Sequence, residues 1–284
     1  MIIGEYGGNK MSGCSTCPSS SGCSTEKKAT CGEKNANPLN QIKKVIGVMS
    51  GKGGVGKSTV TVLLAKELQT RGYKVGILDG DITGPSIPRL TGIREERAEA
   101  VSETEIFPVL TKEGIKVMSL NLLLEDENEP VVWRGPVVGN VVKQFWNDVI
   151  WGELDFLFID MPPGTGDVAL TVMQSLPLDG VVMVSVPQDM VSMIVAKAVN
   201  MTKKMNIPIL GVVENMSYIV CSGCESIIHF HDNNGGKDSL QEMNLNLLGE
   251  LPMKQEIAKM TQGDDSGIGM IFKEITDRFL KLLK

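Results

Sequence analysis

The stretch Gly51-Lys52-Gly53-Gly54-Val55-Gly56-Lys57-Ser58-Thr59 fits the pattern G-x-x-x-x-G-K-[ST] at every fixed position. The apolar run Val45-Ile46-Gly47-Val48-Met49 precedes it, and a helical pattern from Lys57 to about Arg71 follows. That strand–loop–helix context separates a phosphate cradle from a glycine-rich turn. Glycines let backbone N–H groups converge on an anion, and the helix N-terminus adds partial positive charge. The pattern predicts that Lys57 reaches the β/γ-phosphates of ATP and that the Ser58 hydroxyl ligates Mg²⁺. Every residue of the loop is a nucleotide-binding candidate.

An ordinary phosphate loop has no need of a second lysine, yet Lys52 stands just after the first glycine. Loops of the form K-G-G-x-G-K-[ST] resemble the deviant Walker A of the MinD, ParA and nitrogenase iron protein class. The resemblance implies an ATP-dependent homodimer in which Lys52 crosses the interface as a trans-acting catalytic charge. A solvated loop lysine is the competing reading.

The chain has 284 residues, 42% of them hydrophobic, and a net charge of −6. That suits one α/β domain with a tail and argues against a nucleic-acid binder dominated by phosphate contacts. No apolar run approaches the roughly 20 residues that span a bilayer, and Met1 to Lys10 lacks a signal-peptide core. The expectation is a soluble, cytoplasmic protein. In that compartment its six cysteines, set in two groups, read as metal ligands or redox groups before structural disulfides.

Residues 1–40 are rich in Gly, Ser, Thr, Asn and Lys, a composition expected to stay disordered and separate from the ATPase domain over 41–284. Within them Cys14, Cys17, Cys23 and Cys31 are spaced C-x2-C-x5-C-x7-C. A disordered tail has no packing use for four thiols. Cluster ligation is the favoured reading, zinc its rival, since Cys₄ sites serve both.

From Val45 onward apolar strands alternate with helical patterns, which predicts a doubly wound, mostly parallel sheet; the resemblance of the loop implies that it is of the P-loop NTPase kind (SIMIBI, MinD-like). Lys74 to Asp79 reads as a buried strand, and Asp79-Gly80-Asp81 stands at its C-terminal edge, where such sheets bind ligands. We assign Asp81 to orienting the attacking water and Asp79 to the Mg²⁺ shell; capping of the next turn is the alternative. Residues 91–115 read as a surface excursion, and Lys116 to Leu120 as a strand. A helical pattern over about 137–149 follows Trp133-Arg134-Gly135-Pro136. Leu154 to Asp160 is the next strand, with Asp160 as the Walker B carboxylate beside Mg²⁺. In the turn Pro162-Pro163-Gly164-Thr165-Gly166-Asp167, the Gly164 N–H is the candidate γ-phosphate donor of a switch. Gly180 to Pro187 reads as a strand, Gln188 to Met205 as a helix, and Ile207 to Val213 as a further strand. Asn215, just beyond it, can pair with adenine, or serve turn chemistry. Leu248 to Pro252 closes the sheet. The C-terminal Ile271 to Lys284 is amphipathic with a mixed-charge polar face, and packing on the sheet is preferred to membrane binding.

The second cysteine group, Cys221-Ser222-Gly223-Cys224, reads as a surface loop followed by His229 and His231. Iron–sulfur cluster, zinc, redox dithiol and inert loop all compete. One C-x2-C supplies two thiolates where a four-iron cluster or zinc wants four ligands. A two-fold dimer with facing loops would supply the rest. The two histidines would instead complete a zinc site within one chain. A redox motif would open a helix, whereas Glu225 to Phe230 alternates like a short strand.

Taken together, Gly51–Thr59, Asp79-x-Asp81 with Gly84-Pro85-Ser86, Trp133-Arg134-Gly135-Pro136, Asp160 to Asp167 and Glu214-Asn215-Met216-Ser217-Tyr218 with Cys221-x2-Cys224 resemble the Mrp/ApbC family of iron–sulfur P-loop ATPases. The resemblance spans about residues 41–284. It implies slow ATP hydrolysis, a homodimer, a labile [4Fe–4S] cluster bridged by Cys221 and Cys224 of both subunits, adenine recognition near Asn215, and delivery of the cluster to apoproteins. The tail cysteines resemble those of the family's longer eukaryotic branch, which hold a second cluster, although here the fourth cysteine, Cys31, lies downstream of the pair. A MinD/ParA-type positioning ATPase and a nitrogenase-like reductase are the rival readings.

Overall fold

Apolar runs without polar alternation can be buried only where helices cover both faces of a sheet. The structure, a computed structural model, describes residues 37–82, 84–102, 105–124, 135–190, 193–221, 223–224, 226–229, 240–253 and 269–283. Cys14, Cys17, Cys23 and Cys31, the Trp133-Arg134 pair and His231 lie outside the described residues.

Strand β1 (Gln41–Ser50) is buried over its last six residues and leads through the glycine-rich loop into α1 (Lys57–Thr70). It begins ahead of the apolar run because Gln41 and Ile42 pair with Glu153 and Leu154. The next strand is β2 (Val75–Asp79), buried throughout, and a short α2 (Ile87–Leu90) follows. The excursion expected over 91–115 holds a separate antiparallel pair, β3 (Glu99–Ser102) and β4 (Glu105–Phe107), and an edge strand β5 (Val109–Leu110). Strand β6 (Lys116–Met118) is shorter than expected, and the chain turns into a 3-10 helix at Leu120–Leu122. Then come α3 (Gly135–Asp148), β7 (Glu153–Asp160), α4 (Asp167–Ser175) and β8 (Gly180–Ser185). Strand β8 stops before Pro187, which opens α5 (Pro187–Met190), and α6 (Met193–Lys204) comes next; both fall on the helix expected over 188–205, whose residues 191–192 lie outside the described ones. Strand β9 (Ile209–Val220) runs seven residues past its expected end at Val213. Its hairpin partner β10 (Ile227–His229) follows, then β11 (Leu247–Pro252) and α7 (Gly269–Leu282).

Among the described residues a nine-stranded sheet runs β10-β9-β8-β1-β7-β2-β6-β5, with β11 also paired to β9. The pairings among its central strands are parallel, and β5 and β10 run antiparallel to their neighbours. From β1 the chain moves towards β2, and from β7 it moves to β8 on the other side of β1. The order therefore reverses beside β1, and a doubly wound sheet opens its ligand crevice at such a switch, outside the strands' C-terminal ends.

Strand periodicity sorts two cores. Along β7, Phe156 and Phe158 join Leu64 and Leu68 of α1 and Phe272 and Phe279 of α7 on one face. Leu157 and Ile159 join Val142, Phe145, Val172 and Val199 on the other. The Phe279 ring lies 6.1 Å from those of Phe156 and Phe158, and Arg71, just past the end of α1, donates to Asp277 and to the Lys273 carbonyl. The terminal helix thus covers the sheet, as its mixed polar face suggested. No helix among the described residues is long and apolar enough to cross a membrane.

Phe279→Ala should cost about 3–5 kcal/mol of unfolding free energy through the cavity it leaves, measured by urea titration. A loss below about 1 kcal/mol would mean α7 is not part of the core.

Candidate functional site

The loop after β1 is held in shape by its glycines. Gly54 and Gly56 sit at φ of 80° and 86°, a left-handed conformation that side chains strain to adopt. Gly56 caps α1 with no side-chain bond, and the first turn of α1 carries no acid. A Cβ on Gly56 would run into the Asn215 amide. The helix N-terminus is thereby open to an anion, as phosphate binding requires.

Behind the loop stands Asp160, fully buried at the end of β7. The Lys57 ammonium lies 2.8 Å from its Oδ2, and Ser58 Oγ donates to the same oxygen at 2.5 Å. The Thr61 hydroxyl lies 2.9 Å from Asp160 Oδ1 and 3.0 Å from the Lys57 carbonyl, and donates to one at a time. Oxygen donors from Ser58 and Asp160 converging on one point are the set a hard Mg²⁺ ion takes. Thr61 escaped the sequence reading, though its position one helical turn after Lys57 was a usable signal.

Asp79 pairs in register with Asp160 across the parallel strands. Its Oδ2 accepts from Ser119 Oγ at 3.1 Å and from the Ile87 N–H at 3.3 Å, and its Oδ1 from the Asp81 N–H at 3.2 Å. Its pKa is pushed up to about 7, first by burial and then by the Asp160 charge, while Lys57 and the Ile87 N–H pull it down. Ser119 sits beyond the neighbouring strand β6, so no local pattern linked it to Asp79. Asp81, past the end of β2, is half-buried.

Gly164 takes a left-handed φ of 83°, and its N–H donates 2.9 Å to the Ser50 carbonyl. To act as a γ-phosphate donor it must exchange that carbonyl for the phosphate. Asn215 is also buried; its Nδ2 donates 2.9 Å to the Val55 carbonyl and its Oδ1 accepts from the Met216 N–H.

The surface loop that carries the cysteines is a hairpin turn, because β9 continues to Val220. Tyr218, Ile219 and Val220 face His229, Ile228 and Ile227, and the Cys221 N–H donates 2.9 Å to the Ser226 carbonyl. Both thiols are free, Cys221 half-buried and Cys224 exposed. Cys224 Sγ lies 3.0 Å from Ser226 Oγ, and hydrogen bonding from Ser226, then from Cys221, lowers its pKa. A lowered thiol supplies more thiolate, the form that ligates metal. The His229 ring meets Tyr218 at 5.6 Å, three rungs from the turn. Among the described residues no three His, Cys, Asp or Glu side chains gather as a metal site. A strand follows the C-x2-C where a thioredoxin-like motif would place a helix.

A profile of the family described as "ParA: NUBPL iron-transfer P-loop NTPase" matches residues 41–282. The chain belongs to this family. An iron-sulfur cluster carrier protein of Clostridium perfringens is 50% identical over 252 residues, covering 87% of each chain. The iron-sulfur cluster transfer protein NUBPL of Dictyostelium discoideum is 40% identical over 254 residues, 87% of this chain and 78% of that one. Among solved structures, the nucleotide-binding protein of Archaeoglobus fulgidus in complex with ADP is 40% identical with a TM-score of 0.69, covering 82% of this chain and 88% of that one. The Pyrococcus furiosus cell division ATPase MinD shares the fold at 22% identity. The resemblance read from the motifs and the fold class expected from them both hold.

Since Asp79's folded pKa stands above its unfolded value, the native chain holds that proton more tightly. Its contribution to stability is full below the unfolded pKa, near 3.8, and is lost as pH rises through about 7. Asp79→Asn is neutral throughout and should gain on the wild type by roughly 1–3 kcal/mol between pH 5 and pH 8. Urea midpoints of nucleotide-free protein check this; curves that stay parallel would remove the buried-charge account.

Proposed function

We propose that the protein is an ATP-binding and slowly ATP-hydrolysing carrier that takes up a [4Fe–4S] cluster and hands it to apoproteins. The observation that carries this reading is the turn holding two free thiols, Cys221 and Cys224, on the same strand as Asn215, which reaches the phosphate loop. The cluster is cargo, and each chain offers it two sulfurs. A homodimer joined at the turns supplies four, with the exposed Ile227 and Ile228 as apolar collar. The relatives named as cluster carrier and transfer proteins support the same reading.

ATP would lie over Gly51–Thr59, its phosphates on the backbone N–H groups and Lys57, its adenine near Asn215. Ser58, Asp160 and Asp79 would hold Mg²⁺, which supplies charge neutralisation at the β- and γ-phosphates. Lys52 would reach the partner's nucleotide, Asp81 would orient the attacking water, and Gly164 would release Ser50 to meet the γ-phosphate. Cluster donors load the dimer and apo iron–sulfur proteins unload it, in the cytoplasm. A second cluster on Cys14, Cys17, Cys23 and Cys31 belongs to the same reading.

Anaerobic reconstitution followed by transfer to an apo-aconitase-type acceptor tests the assignment. The Cys221→Ser/Cys224→Ser protein should keep ATP binding yet lose the bridging cluster and its transfer. A full cluster in that variant with transfer unimpaired would defeat the carrier reading, and a wild type that keeps its cluster while reducing the acceptor would favour a reductase. Asp81→Asn should bind ATP normally with turnover reduced about 10²-fold or more; unchanged turnover would sink its role.

A further inference from the structure

The phosphate loop and the cysteine turn are joined by one strand, and that strand is broken between them. Val55 lies between the two left-handed glycines, buried, with its carbonyl on the Asn215 amide at 2.9 Å. The next residue, Met216, takes a φ of 56°, a region that a non-glycine side chain enters only under strain. The neighbouring strand records the break: Glu250 and Pro252 of β11 face Glu214 and Tyr218, so two steps on β11 answer four on β9. Pairing of β9 with β8 also ends at Glu214. Ser217 Oγ closes the bulge, 2.8 Å from Glu214 Oε1 and 3.1 Å from the Glu214 carbonyl.

Beyond the bulge, Tyr218–Val220 pair with β10, whose three residues are all exposed. This outer hairpin is tied to the rest of the sheet by Tyr218, whose carbonyl accepts from the Met253 N–H at 2.7 Å. It is a short lever with a strained residue at its root and two thiols at its tip. At about 3.3 Å per residue the tip stands about 16 Å from Met216, so a turn of about 10° there moves Cys221 by about 3 Å. That is enough to bring two facing turns into or out of reach of one cluster.

We infer that Asn215 and Met216 are positioning residues that couple the nucleotide site to the cysteine turn, the bulge at 215–217 acting as the hinge. Phosphate on the Gly54 and Gly56 N–H groups sets the direction of the Val55 carbonyl. Asn215 follows that carbonyl, and Met216 converts its movement into a rotation of the outer hairpin. The inference rests on the carrier reading and names the device by which ATP would act on the cargo.

The experiment is alkylation of Cys221 and Cys224 by iodoacetamide in the reduced, cluster-free full chain, resolved by peptide mass spectrometry, with and without Mg-ATP. ATP affinity is measured alongside. Wild type should show a nucleotide-dependent change in rate of about fivefold or more at these two thiols. Met216→Gly, which frees the backbone, should bind ATP with unchanged affinity while that ratio falls towards unity. Met216→Ala, which trims the side chain but keeps a Cβ, should retain it. A preserved ratio in Met216→Gly, or equal loss in both variants, overturns the hinge. A wild type that binds ATP and transfers its cluster but shows equal rates sinks this inference alone; one that binds no ATP sinks the carrier reading with it.

Discussion

A fully buried aspartate at the end of an apolar strand is the constraint on which the rest of the structure depends. An unpaired charge in that position would cost several kcal/mol, and Asp160 is met by the Lys57 ammonium and the Ser58 and Thr61 hydroxyls. All three come from the first five residues of one helix, so that helix must start beside the end of β7. Parallel pairing of Val48 with Asp160 provides the placement. The insertion of β7 between β1 and β2 is the topological consequence. Asp79, level with Asp160 on the next strand, has the same cation only at second hand, so it is the carboxylate that tends to keep its proton.

Most of the fold was legible because parallel strands announce themselves by unbroken apolar runs and the nucleotide loop by fixed spacing. The fold class, the loop, the strand-end carboxylates and the covering role of the last helix all followed from local pattern. Boundaries went astray where tertiary pairing outweighs composition. Gln41 joins β1 only because Glu153 is there to pair with it, and Tyr218 to Val220 become strand only because β10 folds back on them. Ser119 and Thr61 contribute through long-range or one-turn contacts to carboxylates, and the left-handed Met216 has no compositional mark at all. Glycine or asparagine would have announced such a position; methionine does not.

Two sets of donor atoms stand apart among the described residues. The loop end of the sheet gathers oxygens, from Ser58 and Asp160, of the kind that suit a hard dication, while the hairpin turn carries two thiols, the softer donors. The outer half of β9 separates the two sets. The hydroxyl and backbone of Ser226 hydrogen-bond the Cys224 thiol and lower its pKa, which favours the thiolate.

The central place of β1 also governs how the chain is made. Its neighbours on both edges, β7 and β8, are encoded roughly a hundred residues or more downstream, which at ribosomal speed means about 5–20 s of waiting. During that interval the apolar half of β1 has neither of its sheet partners, and loop-closure entropy opposes any shortcut. The strand order that brings Lys57 to Asp160 therefore leaves β1 without its sheet neighbours until the second half of the chain has been made.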